Sequence, residues 1–114
     1  MTRRVVITGL GTVNSLSNDI PTFWDYLCAG RSGVSLIEQF DTTAFKVHFG
    51  GEVKNFVPEN HLEGKVAKRL DRFSQFALVA AISAVKDAGI DFSQGDPFRY
   101  GVIIGSGIGG LNEF

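Results

Sequence analysis

From Phe76 to Val85 nearly every residue is apolar or small: Phe76, Ala77, Leu78, Val79, Ala80, Ala81, Ile82, Ala84 and Val85. Upstream, Val66, Leu70 and Phe73 join Ala77, Ala81, Ala84 and Ala88 in steps of three and four. That spacing predicts one helix over residues 61–88, with Gly89 as its stop. A helix that is apolar all round is buried on several sides. A chain of 114 residues holds one domain at most. It leaves little other protein to bury such a helix. The expectation is a piece of a larger α/β assembly that folds poorly or aggregates alone.

Two other runs have strand character. Val5-Val6-Ile7-Thr8 is β-branched and ends in Gly9-Leu-Gly11; Tyr100-Gly-Val-Ile-Ile104 leads into a second glycine turn. Between them, residues 20–29 predict a short helix, with Asp19 as cap, Pro21 in the first turn and Gly30 as stop. Residues 31–60 are irregular and punctuated by Phe40, Phe45, Phe49 and Phe56, with short strands expected at 47–50 and 52–53.

The charge balance excludes some classes of partner. Net charge is −1, so no global field attracts nucleic acid or membrane. No apolar run reaches the roughly 18 residues of a membrane span. The lone cysteine, Cys28, excludes an internal disulfide and fits a reducing compartment. It falls late in a short helix, where the dipole disfavours a thiolate, so a structural role is expected. His48 and His61 are isolated, and no metal-ligand spacing stands out.

Two local features carry functional readings. Lys65, Lys68, Arg69 and Arg72 follow i, i+3, i+4, i+7 and place four cations on one stripe of the long helix. That stripe is either a solvated face or a docking patch for an acidic partner. Gly105-Ser-Gly107-Ile-Gly109-Gly110 is a G-x-G-x-x-G run after a strand, open to phosphate binding or to close packing. Gly9-Leu-Gly11-Thr-Val-Asn14 approaches the same pattern but lacks the third glycine.

Three separated segments, RRVVITGLG, AGRSGVSLIEQFDTTAF and YGVIIGSGIGG, together resemble the start of the β-ketoacyl-acyl-carrier-protein synthases. The type II elongating condensing enzymes of fatty-acid synthesis are the nearest group. The likeness runs along the whole chain but covers well under half of such an enzyme. It implies a partial thiolase-like α/β fold, with residues 1–114 as an incomplete N-terminal part of an αβαβα-layered homodimer. The implied reaction is decarboxylative Claisen condensation of a cysteine-bound acyl group with malonyl on acyl carrier protein. The resemblance implies that the catalytic cysteine and two histidines lie outside this chain, so the piece alone is expected to be inactive. Cys28 aligns with a helix position of no catalytic role. Carrier-protein docking is carried over to Lys65, Lys68 and Arg69, and acyl-pocket lining to Ile108. No cofactor is implied, and the cytoplasm is the expected location. Family members commonly carry Pro and Gly where this chain has Ser15 and Ser17. The alternatives are a catalytically silent chain-length partner subunit, a nucleotide-binding module on Gly105 to Gly110, and an interaction domain without a small-molecule site.

Overall fold

Asp19, Pro21 and Gly30 bound the first helix, α1 (Ile20–Cys28), as expected. The Asp19 carboxylate accepts from the Thr22 N–H at 2.8 Å. Gly30 takes φ 65°, and Arg31 N–H closes back on the Tyr26 carbonyl at 2.9 Å, satisfying a free C-terminal acceptor. The computed structural model describes residues 2–110. After α1 come β1 (Ser35–Leu36), β2 (Phe49–Gly50), α2 (Gly64–Ala67) and α3 (Arg72–Ala88), with 3-10 turns at Pro58–Asn60 and Pro97–Arg99.

Hydrogen bonds to Asp19 hold its carboxyl below the usual carboxylate range, the Thr22 N–H first and the Thr22 and Ser17 side chains after it. Removing that cap as Asp19→Ala should cost about 1 kcal/mol at neutral pH. The sign follows from the lowered native pKa. The contribution is full above the unfolded pKa and fades as pH falls through the native one. Thermal unfolding of variant and parent in the full-length protein should therefore differ at neutral pH and converge as pH falls through the lowered native pKa of Asp19.

The strand expectations are corrected in three places. β1 and β2 pair antiparallel, Ser35 opposite Gly50 and Leu36 opposite Phe49, and form the one sheet among the described residues. Residues 52–53 form no strand. There the Glu52 carboxylate takes over the pairing and accepts the N–H groups of Glu38 and Gln39 at 2.9 and 3.0 Å. Those bonds, Glu38 first, pull the Glu52 carboxyl below its ordinary range. Residues 5–8 and 100–104 run without strand pairing and stand in solvent, with Val5 at 90% exposure and Ile103 at 101%. A strand exists only by its ladder, and neither run has a neighbour to pair with among the described residues.

The single helix expected over 61–88 is also corrected. α2 ends at Ala67; Arg69 and Leu70 continue in tight i−3 turns onto Val66 and Ala67; then Asp71 turns extended at ψ 154° as the N-cap of α3. Asp71 caps α3 by its backbone conformation alone, with no side-chain capping bond, and the break involves neither glycine nor proline. Gly89, at φ 63°, ends α3 as expected.

The buried core is small: Phe56, Leu62, Ala67 and Val79, flanked by Val13, Val53, Leu70, Phe76 and Leu78. The radius of gyration is 17.2 Å, against about 13 Å for a compact chain of this length. Accessible surface is 9525 Å², against about 6100 Å² for a compact monomer of this mass. Both excesses reflect the exposed apolar runs at 5–8 and 102–104.

Residues 9–11 cross α3 on its small face. A Cβ on Gly9 would lie 2.6 Å from the Ala88 nitrogen, and one on Gly11 would fall on the Ala80 carbonyl. Leu10 N–H then bonds the Asp87 carboxylate at 2.9 Å. The first glycine pair therefore serves helix contact, and its likeness to a dinucleotide loop is coincidental.

Candidate functional site

The cationic stripe is three residues wide, not four. Local helical turns persist through Leu70, so Lys65, Lys68 and Arg69 stay grouped at the corner where α2 meets α3, all three exposed. None of them enters an ion pair or side-chain hydrogen bond among the described residues; the ion pair there joins Lys54 and Glu38. Arg72 falls beyond the break and is occupied elsewhere. Its guanidinium donates to the Val53 carbonyl at 2.7 Å and lies 4.9 Å from the Phe76 ring centre and 5.7 Å from that of Phe56. It closes the core against loop 49–56 and does not belong to the patch.

Below the corner lies a cleft of about 320 Å³, bordered by Arg69, Leu70, Phe73, Ile108 and Gly110. The structure thus brings together Ile108, expected to line an acyl pocket, and Arg69, expected to dock a partner. Lys65 and Lys68 extend the positive surface beyond the cleft rim. Leu70 and Phe73 supply apolar walls from the connector and from α3. Asp71 and Ser74 add polar groups to the lining, so the cleft is mixed, with Arg69 as its cation.

The second glycine run divides by function. Gly109 takes φ 88°, a conformation that L side chains rarely adopt. A Cβ on Gly110 would collide with the Asp71 carboxylate, whose Oδ2 is buried with no hydrogen-bond partner among the described residues. Gly105 and Gly107 stand in open space. No helix begins within residues 105–110, so the helix N-terminus that a phosphate loop requires is not found among the described residues.

The remaining candidates are scattered. Cys28 is exposed at the end of α1. His48 contacts the Thr42 hydroxyl, and His61 stacks on Phe56 with the rings 5.7 Å apart. No trio of metal-ligating side chains gathers among the described residues. No described helix is long and apolar enough to cross a membrane. The turn at Ser15 and Ser17 is held by Asn14, whose Oδ1 accepts the N–H groups of Leu16 and Ser17 at 2.8 and 3.1 Å.

Sequence reasoning missed Gln75. It sits in the first turn of α3, and its side-chain amide donates to the carbonyls of Ala67 at 2.8 Å and Leu70 at 3.1 Å. It stands beside Arg72 and Ser74, ahead of the apolar run, so nothing in the sequence set it apart.

Comparison with known proteins gives one consistent answer. The model of the family described as "Beta-ketoacyl synthase, N-terminal domain" matches residues 2–114. A "3-oxoacyl-[acyl-carrier-protein] synthase 2" of Staphylococcus aureus (strain COL) is 47% identical over 112 residues, 98% of this chain and 27% of the relative. The protein of the same name from Vibrio cholerae is 44% identical over 109 residues, 96% of this chain and 26% of its own. The chain thus spans about a quarter of the curated relatives it matches. Among solved structures, the ishigamide ketosynthase/chain length factor superposes with a TM-score of 0.73 at 36% identity, over 80% of this chain and 23% of that one.

Proposed function

Given that the chain belongs to the β-ketoacyl synthase family, matching its N-terminal domain, we propose that it forms the opening segment of a condensing enzyme of fatty-acid chain elongation. Its fold is the corresponding part of the thiolase-like α/β architecture. The reaction in this reading is decarboxylative Claisen condensation. An acyl group waits as a thioester on a cysteine, malonyl on acyl carrier protein loses carbon dioxide, and the carbanion attacks the thioester. The nucleophile and the two histidines belong to parts of the enzyme outside residues 1–114. This segment alone has no catalytic residues and is inactive.

Within the enzyme the segment supplies recognition. Lys65, Lys68 and Arg69 dock the acidic acyl carrier protein, and Ile108 borders the path of the acyl chain. The observation that carries this is their convergence on one corner and cleft: Arg69 and Ile108 border the same opening, beside two further exposed cations. The complete enzyme acts as a homodimer in the cytoplasm and needs no cofactor.

The test is direct. The full-length protein, incubated with acyl- and malonyl-carrier protein, should release carbon dioxide and yield the 3-oxoacyl product two carbons longer. A protein that binds both carriers and forms no product would instead be the silent chain-length subunit. That second reading has one observation in its favour, the structural likeness to a ketosynthase/chain length factor.

A further inference from the structure

We infer that Gln75 is the positioning residue of the basic corner, holding Lys68 and Arg69 in the arrangement that a carrier protein meets. The inference rests on the docking reading above and adds the device that makes the patch rigid.

A helix end leaves its last carbonyls without intrahelical donors. Here α2 stops at Ala67, and Asp71 swings the chain away at ψ 154°. The connector between them carries Lys68 and Arg69. Its own closing bond, Leu70 N–H to Ala67 O, is long at 3.4 Å. The Gln75 amide supplies the missing donors, at 2.8 Å to Ala67 O and 3.1 Å to Leu70 O, so one side chain grips both ends of the connector.

Gln75 is itself fixed. Its backbone N–H bonds the Asp71 carbonyl at 2.9 Å in the first turn of α3. The same residue therefore closes the start of one helix and the end of the other. Ala67, whose carbonyl it holds, is 2% exposed and anchored in the core. The cations themselves have no side-chain partners among the described residues, so their placement depends on the backbone that bears them. Without the amide, the connector frays, and a docking partner must pay the entropy of ordering it.

The experiment uses the full-length enzyme and compares two substrates: acyl groups on carrier protein, and the same acyl groups on a small thioester with no protein attached. Gln75→Met keeps the length of the side chain and removes both donors. The expected result is a KM for carrier-borne substrate raised about fivefold, with kcat and the small-thioester KM close to the parent's. In a background already carrying Lys68→Ala and Arg69→Ala, Gln75→Met should add no further loss. Should the methionine variant fail to fold, Gln75→Asn replaces it; its arm is one methylene shorter and reaches one carbonyl, so an intermediate rise is expected. An unchanged carrier KM, or an equal rise for both substrates, would overturn the inference and leave docking intact. If Lys68→Ala with Arg69→Ala leaves the carrier KM unchanged, the docking reading itself fails and this inference falls with it.

Discussion

Gly11→Ala in the full-length protein should lower stability by about 3 kcal/mol, read as a shift in the urea midpoint at constant slope. The methyl group has nowhere to go. Its Cβ would meet the Ala80 carbonyl, and it would lie 2.8 Å from the Ala84 nitrogen and 2.9 Å from the Ala80 carbonyl carbon. These are backbone atoms of a 17-residue helix, which cannot yield as a flexible side chain does. The segment must lift off α3, which strips the small face of Ala80, Ala84 and Ala88 and the bond from Leu10 to Asp87. Gly9→Ala should behave alike, since its Cβ would sit 2.7 Å from that of Ala88. Gly64→Ala is the control. It lies in α2 with nothing within 4 Å of the new methyl. It should be neutral or stabilising by up to about 1 kcal/mol, from helix propensity. Equal, small effects at all three glycines would show that residues 9–11 do not rest on the helix.

The second large effect concerns binding. Converting Lys65, Lys68 and Arg69 together to glutamate should weaken carrier-protein binding at low salt at least about tenfold, or ~1.4 kcal/mol. All three are exposed, so each loses an attraction and gains a repulsion without disturbing buried contacts. Because the patch is solvated, the parent's affinity should fall as salt rises, while the variant's should rise as its repulsion is screened. Unchanged affinity at low salt would remove the patch from the docking surface. Arg72 makes the contrast: its loss should lower stability rather than carrier affinity, because it is committed to Val53, Phe56 and Phe76.

What the amino-acid sequence disclosed of this was uneven, for reasons that can be named. α1 was readable because its signals are local: a capping aspartate, a first-turn proline and a glycine at positive φ act within a few residues. The long helix was readable at its Gly89 end but not in its start or its break, because Asp71 resembles any surface acid in an amphipathic run. The two β-branched runs had the right composition, but strand formation is a property of pairs. The site was legible through charge spacing, though spacing assumes a continuous helix. Three cations kept their grouping because the turns persist through Leu70; the fourth, past the break, found a carbonyl and two rings instead. Gln75 stayed hidden because its partner Ala67 lies eight residues back and across a bend.

The crossing of residues 9–11 over α3 also sets a clock. The Leu10–Asp87 bond joins positions 77 residues apart. During synthesis at about 5–20 residues per second, the N-terminal segment waits roughly 4–15 s for the helix it rests on to be made. Through that interval residues 9–11 lack the helix face they rest on. α1 and the β1–β2 hairpin, whose contacts are local, form before they dock. Residues 9–11 therefore find their place only after residues 80–88 have been made. Slowing translation should lengthen the exposure of this segment to chaperones without changing the finished fold.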